Sequence, residues 1–319
     1  MTVGILKVER DVRSARGKFD TQITDHLTKI QGIESVRVRL PEGGLPAFFR
    51  GRIRVRRRLR SAATQYERLF VPSQDLLVVD PAKLPATVFT YIHDIFPPTT
   101  LFSNTFDALI GRYYIGNAIK CDHIVCASEE TQKDVVTRTS FSNTSEVVYQ
   151  GIDMPDISRD RIVYDLCYVG SLMQRKDPEF LRKSIEQAND AGYRCVAVNF
   201  DPVDLPCETK SGLSQSELAE LLASCRYYLH PSRLEGFGRS PVEAQSAGTI
   251  PIGRDIGINH EILGEEGCEW IAVDRPQDVV DLLDDDPSPS QQDAAQKNAA
   301  QYEWSETRAR LKELLTENL

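Results

Sequence analysis

Two glutamates, Glu235 and Glu243, lie eight residues apart around a glycine-containing segment, and this arrangement could bind an anion together with hydroxyl groups beside it. Glu235 follows an apolar run that predicts a strand, and Gly236 and Gly238 predict a loop without side-chain bulk. The Ser-Pro pair at 240–241 predicts a helix start, whose free N–H groups and positive dipole end would bind a diphosphate. The two carboxylates could then accept hydrogen bonds from hydroxyl groups. Alternatively, the Ser-x-x-Glu spacing that ends at Glu243 is a capping box with a purely structural role.

Two adjacent cations, Arg175 and Lys176, precede a helix that we expect to begin with Asp177 as N-cap and Pro178 at its first position. Positive charges at a helix N-terminus oppose the helix dipole, so this pair favours an anion between the two side chains. The alternative is a solvated pair of cations at a helix start.

These residues must be positioned by neighbouring elements, and the chain alternates short apolar runs with helix-like stretches. Such alternation predicts α/β domains with mainly parallel sheets, in which ligands bind beyond the carboxyl ends of the strands. A polar break at GIDMPDISRD separates two halves of the 319 residues. We therefore assign 1–152 to an N-terminal domain, 153–160 to a linker, 161–300 to a C-terminal domain and 301–319 to a closing helix.

Individual elements follow from local patterns. In the first half, strands are predicted at VGILKV, SVRVRL, DLLVVD, TVFTYI, HIVCAS and SEVVYQ, and helices over 17–31, 52–70, 101–119 and 129–138. In the second half, a capping box from Ser214 to Glu217 predicts a helix, and DDDPSPSQQD predicts an exposed loop.

Composition is that of a soluble globular protein, with 41% hydrophobic and 27% charged residues. No run of about 18 apolar residues could span a bilayer, and the N-terminus lacks the apolar core of a secretory signal, so we expect a cytoplasmic location. Seven single cysteines without a C-x-x-C pair argue against a disulfide framework and a thiolate zinc site. The acidic run Asp284 to Asp286 lies in a predicted surface loop. Neither the cysteines nor this acidic run therefore predicts a metal site.

Seven arginines lie between Arg50 and Arg60, although the chain carries a net charge of −9. No acidic residue occurs from Gly43 through Tyr66, so the arginines have no local partners. A helix over 52–70 would pack on its domain through Val55, Leu59, Ala62, Tyr66 and Leu69 and leave Arg54, Arg57 and Arg58 exposed. We expect these arginines to dock on an anionic membrane surface that carries a lipid-linked ligand. A soluble anionic ligand and a solvated helix are the alternatives.

The string P-S-x-x-E-G-F-G-x-x-P-x-E-A-x-x-A-G-x-x-P at 231–251 resembles the donor-site signature of the family 4 retaining glycosyltransferases of the GT-B fold, the glycosyl transferases of group 1. Further segments resemble that family in the expected order: TYIHDIFP, HIVCASEETQKDVV, VVYQGID, YVGSLMQRKDPEFL and YEWSETRARLKELL. The resemblance is strong over 88–319 and weak before it.

This resemblance implies two Rossmann-like domains facing a cleft, with the acceptor bound by the N-terminal domain and the donor by the C-terminal domain. The closing helix would cross back onto the N-terminal domain. The implied activity is transfer of a hexose-type sugar from a GDP- or UDP-sugar, with retention of anomeric configuration and without a metal.

The resemblance also implies roles for single residues. Glu235 would contact the transferred sugar, Glu243 the ribose and Lys176 the diphosphate, and His93, followed by Asp94, would lie across the cleft near the reacting centre. His230 falls where the motif has no function and is interpreted as structural. The remaining implied donor-binding residues are Gly170, Arg175, Gly236, Phe237, Gly238 and Arg239.

The sequence departs from the family at two places. Ser171 stands where the family has an arginine, which makes Arg175 a candidate substitute, and a single Gly17 replaces a glycine pair after the first strand. Other activities stay open: a nucleotide-sugar epimerase on the same fold, a non-catalytic sugar-nucleotide sensor, or a nucleic-acid binder. No aromatic residues interleave with the arginines, so we expect no nucleic-acid partner.

Overall fold

The computed structural model describes residues 2–9, 15–41, 45–95, 105–155, 157–199 and 204–316. The chain divides into two compact units, one formed by Met1–Gln150 and Trp304–Leu319 and the other by Gly151–Glu303. Each unit contains a six-stranded parallel sheet, as the alternation of strands and helices in the sequence predicts. Among the helices described, none combines the length and the apolar character needed to cross a membrane.

The first unit has strands β1 (Val3–Glu9), β2 (Ile33–Arg39), β3 (Arg68–Val71), β4 (Thr87–Ile92), β5 (His123–Cys126) and β6 (Thr144–Val147). Their order in the sheet is β2-β1-β3-β4-β5-β6, and every neighbouring pair is parallel. The helices between them are α1 (Ala15–Leu27), α2 (Leu45–Ala62), α3 (Thr105–Ala118) and α4 (Glu129–Arg138).

Two sequence predictions for this unit are wrong. The helix predicted over 52–70 ends at Ala62, where a turn closed by the N–H of Tyr66 and the carbonyl of Ala62 leads into β3. Leu69 therefore lies in a strand between β1 and β4. The run DLLVVD is not a strand: it begins in a short 3₁₀ turn, Gln74–Leu76, and continues as buried irregular backbone. The prediction failed because an apolar run indicates burial without specifying a strand.

The second unit has strands β7 (Tyr164–Val169), β8 (Cys195–Asn199), β9 (Glu208–Ser211), β10 (Cys225–His230), β11 (Ile250–Gly253) and β12 (Ile271–Ala272). Its helices are α5 (Pro178–Asp190), α6 (Gln215–Ala223), α7 (Arg239–Ser246), α8 (Gly257–Ile262), α9 (Pro276–Leu283) and α10 (Pro289–Ala299). The parallel order β12-β11-β10-β7-β8-β9 places β7 and β10 side by side at the centre of the sheet.

Both faces of this sheet are covered, as expected for parallel strands. Along β10, Tyr227 and Leu229 pack into one apolar cluster and Tyr228 into another, because successive side chains point to opposite faces. The predicted capping box of Ser214 and Glu217 opens α6. The prediction of a loop at DDDPSPSQQD is wrong in part, because α10 begins within this segment with Ser288 as the N-cap of a capping box.

The chain closes on α11 (Trp304–Thr316), which belongs to the first unit. The ring of Trp304 stacks on Phe19 of α1 at 5.3 Å, and the Thr307 hydroxyl donates to the carbonyl of Tyr149 at 2.9 Å. Leu311 and Leu315 of this helix are buried.

Candidate active site

The loop from 231 to 238 leaves the carboxyl end of β10 and carries Glu235 to the start of α7. Gly238 is the N-cap of α7 with φ of 84°, a left-handed conformation that glycine adopts without strain. A Cβ atom at this position would lie 3.3 Å from Cγ of Glu235, so the loop packs tightly beneath that side chain. The glycines predicted from the motif therefore give the chain room to turn at Glu235.

Glu235 forms the centre of a buried charge cluster. Arg175 donates from Nη1 to Oε1 at 2.7 Å, and Lys176 donates from Nζ to Oε2. The Ser232 hydroxyl donates to Oε2 at 3.3 Å. The exposed fraction of the side chain is 9% for Glu235, 15% for Arg175 and 11% for Lys176. Residues predicted from two separate sequence segments thus meet in one place.

Strand order explains this meeting. Arg175 and Lys176 belong to a 3₁₀ turn, Gln174–Lys176, that follows β7, and β7 pairs directly with β10. The carboxyl ends of adjacent parallel strands lie at the same edge of the sheet, where such folds bind their ligands. The backbone N–H of Arg233 donates to the carbonyl of Arg175 at 2.9 Å, and Nη1 of Arg175 donates to the carbonyl of Leu234 at 3.3 Å. The turn and the glycine loop are therefore cross-linked through the backbone.

The charges in this cluster act strongly on one another. Burial would raise the pKa of Glu235, but Coulombic attraction from Arg175 and Lys176 more than offsets it and holds the pKa well below its ordinary value. Burial lowers the pKa of Lys176, and the attraction of Glu235 partly opposes that change. Glu235 is consequently a carboxylate whose ionised form is stabilised by two neighbouring cations.

His230, interpreted as structural from the sequence, ends β10 beside this cluster. Its side chain is buried, and Nε2 lies 3.6 Å from Oε2 of Glu235. Within the described part of the chain, neither ring nitrogen has a hydrogen-bond partner. Burial lowers the pKa of His230, so the ring is neutral near pH 7. No sequence signal separates this histidine from an ordinary core residue.

Asp177 directly follows Lys176, and the sequence predicts for it only the role of N-cap. Its Oδ1 accepts the N–H of Phe180 at 3.3 Å, which confirms the predicted cap of α5. Its Oδ2 accepts Nε of Arg233 at 2.7 Å and Nη2 of Arg254 at 2.5 Å. Burial would raise the pKa of Asp177, but the hydrogen bonds from Arg233, Phe180 and Arg254 lower it overall. These two contacts join the loops that follow β7, β10 and β11, three strands that are neighbours in the sheet.

Glu243 and Arg239 are both buried within α7, with 3.6 Å between Nη2 of Arg239 and Oε1 of Glu243. Because α7 begins at Arg239, Ser240 lies inside the helix and does not form the capping box considered from the sequence. Phe237 is buried, with its ring 5.4 Å from that of Tyr302 in an edge-on geometry.

Gly170 lies just beyond the carboxyl end of β7, where a Cβ atom would approach the Tyr168 hydroxyl to 2.7 Å. A side chain at this position would therefore clash with Tyr168. Gly236, like Phe237, belongs to the same loop as Glu235.

His93 lies in the first unit, just beyond β4, and is buried. Gln150 donates to Nδ1 at 3.2 Å, which leaves the proton on Nε2, 3.0 Å from Oδ1 of Asp20 and 3.2 Å from the carbonyl of Pro72. Both ring nitrogens are thus engaged, so the orientation and the tautomer of the imidazole are fixed.

The arginines Arg54, Arg57 and Arg58 lie on α2 of the first unit, and all three are exposed. Val55 and Leu59 of the same helix are buried, in agreement with the predicted packing stripe up to Ala62.

Comparisons with known proteins agree with this architecture. Residues 207–301 match the family model for glycosyl transferases group 1. Over its full length the chain is similar to the structure of Anabaena Alr3699/HepE in complex with UDP-glucose, with a TM-score of 0.77, 15% identity and 99% coverage of both chains. The chain has the GT-B fold, and residues 207–301 of its second unit resemble the glycosyl transferases of group 1.

Other solved structures share this fold, and one curated protein is similar over a short segment. The sucrose-phosphate synthase of Thermosynechococcus elongatus gives a TM-score of 0.74 at 12% identity, covering 98% of each chain. WaaG, a glycosyltransferase involved in lipopolysaccharide biosynthesis, gives 0.69 at 14% identity, covering 99% of this chain and 100% of the other. A segment of 74 residues is 42% identical to the MMP alpha-(1->4)-mannosyltransferase of Mycolicibacterium hassiacum, and it spans 23% of this chain and 18% of that protein.

Proposed function

We propose that this glycosyltransferase moves a hexose-type sugar from a nucleotide-sugar donor, with GDP or UDP as the nucleotide, to an acceptor hydroxyl. The observation that carries the proposal is the buried cluster of Glu235, Arg175 and Lys176 at the carboxyl ends of β7 and β10. The UDP-glucose complex of the Anabaena protein and the mannosyltransferase activity of the Mycolicibacterium relative support a donor of this class.

In the proposed reaction, the bond between the anomeric carbon and the diphosphate oxygen breaks, and the acceptor oxygen forms the new bond and loses its proton. Negative charge develops on the leaving nucleoside diphosphate. Arg175 and Lys176 stabilise this charge from a site largely shielded from water, where electrostatic interactions are stronger than in solution. Two fixed cations can carry out this stabilisation, so we propose that no metal or cofactor is required.

The other donor contacts are assigned by residue type and position. Glu235 would accept a hydrogen bond from a sugar hydroxyl and Glu243 from the ribose, and backbone N–H groups over 236–239 would donate to the phosphates. Retention of configuration is proposed from the motif resemblance. In the first unit, the hydrogen bonds of His93 to Asp20 and Gln150 hold its ring in one orientation, and its contact with a sugar or the acceptor is proposed from the motif resemblance.

Thermal shift with a panel of GDP-, UDP- and ADP-sugars tests the donor assignment. A ligand at 100 times its dissociation constant stabilises the protein by about 2.7 kcal/mol, so the matching donor is expected to raise the Tm clearly. Lys176→Ala is the control variant, and the nucleoside without phosphates is the control ligand. The proposal fails if no nucleotide sugar stabilises the wild type, or if each stabilises the Lys176→Ala variant equally well.

We further propose that the acceptor is lipid-linked or otherwise anionic and that the protein binds the cytoplasmic face of a membrane peripherally. Support comes from α2, where exposed arginines lie beside two exposed apolar side chains, Phe49 and Ile53. At about 1 kcal/mol per basic residue near an anionic leaflet, several arginines would give reversible binding that salt weakens. Co-sedimentation with vesicles of graded anionic lipid content tests this. If the wild type fails to bind anionic vesicles at low salt, the membrane proposal is wrong and a soluble acceptor should be sought.

A further inference from the structure

Five arginines from two elements of the first unit surround an open groove with a volume of about 480 Å³. The groove is lined by Arg37, Val38 and Arg39 from β2 and by Arg54, Arg57, Arg58 and Ser61 from α2. We call this feature the arginine groove. The two arginines on β2 lie outside the basic run that the sequence brings to notice.

Two neighbouring elements, β2 and α2, place these arginines close together. Val36 and Val38 of the edge strand β2 share an apolar cluster with Val55 and Leu59 of α2, which holds the two elements side by side, and Arg37 and Arg39 are exposed on β2. Along α2, positions 54, 57, 58 and 61 recur at helical spacing and form one face beside the buried stripe. Nη1 of Arg54 donates to the carbonyl of Arg39 at 3.2 Å, which joins the two walls.

The charge of the arginine groove is almost uncompensated. Among the described residues, its arginines form one ion pair, with 3.9 Å between Nη1 of Arg37 and Oε1 of Glu9. Like charges three and four positions apart on a helix repel each other and destabilise it, and Arg54 has this relation to both Arg57 and Arg58. The groove therefore concentrates positive charge at a cost to α2, and a bound anion would relieve that repulsion.

We propose that the arginine groove binds a phosphomonoester or polyphosphate group. Guanidinium groups bind phosphate oxygens through two parallel hydrogen bonds, and five of them around one concave surface favour a ligand with several negative charges. The ligand could be a soluble polyphosphate or the phosphorylated headgroup of a lipid, since both carry the same chemistry. The site lies in the first unit, so this proposal does not depend on the donor chemistry assigned to Glu235.

Protection from phenylglyoxal, which modifies accessible arginines, locates the ligand in the wild-type protein. Inorganic tripolyphosphate is the probe, and mass spectrometry reads each arginine separately. We expect tripolyphosphate to protect the five groove arginines and to leave Arg56 and Arg60 reactive, because both are exposed on α2 but do not line the groove. Equal protection of all seven residues, or protection of none, would overturn the proposal.

Two charge-matched triple variants measure affinity at the same site. One changes Arg39, Arg57 and Arg58 to Gln, and the other changes Arg50, Arg56 and Arg60 to Gln. Arg37 and Arg54 remain in both as reporters of protection. The groove variant is expected to need about tenfold more tripolyphosphate or greater for half protection, while the other stays within about threefold of wild type. Equal weakening in both variants would mean that only the diffuse field of α2 binds anions.

Vesicles distinguish the two sources of the phosphate. Phosphatidic acid, a phosphomonoester lipid, is compared with phosphatidylserine at equal surface charge. If the ligand is a headgroup, phosphatidic acid vesicles bind the wild type more tightly, and tripolyphosphate displaces them. If the ligand is soluble, tripolyphosphate protects the groove arginines, and the groove variant and its charge-matched control bind each kind of vesicle equally well.

Discussion

Replacing Glu235 by Gln keeps the shape of the side chain but removes the charge that Arg175 and Lys176 share. From sequence alone, such a change in a loop would be expected to leave folding intact. The structure predicts otherwise, because two largely buried cations would lose their carboxylate. Removing one partner of a buried ion pair costs about 3–5 kcal/mol. Arg175 keeps 15% of its side chain exposed, so we expect about 3 kcal/mol, the lower end of that range.

In a unit of this size, about 3 kcal/mol corresponds to a fall in Tm of roughly 6–12 °C. The same change should lower the turnover rate by roughly 10² or more if, as proposed, the carboxylate contacts the reacting sugar. Binding of the nucleoside diphosphate should instead become tighter, because the diphosphate no longer competes with Glu235 for the two cations. The Tm rise on adding the diphosphate should therefore be larger in the variant than in the wild type.

Differential scanning calorimetry with and without the nucleoside diphosphate measures both the fall in Tm and the rise in Tm on adding the ligand. Glu179→Gln serves as the control, since Glu179 is an exposed acid paired with Lys183 on α5 and its loss should not change the Tm measurably. A Glu235→Gln variant as stable as the wild type would refute the argument for a buried ion pair. Lower stability without a larger ligand shift would show that Arg175 and Lys176 do not bind the phosphates.

Three other outcomes are expected. Lys176→Ala should weaken binding of the nucleoside diphosphate, measured by calorimetric titration, more than that of the nucleoside, and equal losses would contradict a phosphate contact. Transfer should survive EDTA, and loss of activity that magnesium or manganese restores would show a metal-dependent enzyme. Burial lowers the pKa of His230 below its ordinary value of 6.5, so the unfolded chain binds more protons and stability falls as the pH drops through that value. Urea denaturation should show that His230→Phe loses less stability than the wild type between pH 7.5 and pH 5. Equal losses in the two proteins would show that His230 makes no such contribution.

The features that the sequence predicts well are those set by short-range chemistry. Asp177 followed by Pro178 and the pair Ser214 and Glu217 identify two helix starts, because a cap needs residues only three positions away. The alternation of strands and helices likewise predicts two parallel sheets. The end of α2 was missed because the apolar spacing continued past Ala62 into a strand that pairs with β1 and β4.

Partners distant in the chain could not be predicted in the same way. Arg175 and Glu235 are 60 residues apart, and their contact depends on β7 and β10 being neighbours in the sheet. The position of His230 beside Glu235 depends on the same strand order. The contacts of Asp177 with Arg233 and Arg254 join loops after three strands, and no local pattern specifies them.

The cross-links around the two cations explain how Glu235 could both stabilise the fold and contact a sugar. The N–H of Arg233 bonds the carbonyl of Arg175, and Arg175 also donates to the carbonyl of Leu234, so backbone contacts hold this turn independently of the Glu235 carboxylate. If Glu235 turned toward a sugar hydroxyl, the diphosphate could replace it as the partner of cations already in place. Binding would then require little reorganisation, and preorganised charge of this kind is most effective at stabilising a leaving group. The contacts of this turn with the glycine loop would thus keep the cations near the expected position of the phosphates after Glu235 has turned away.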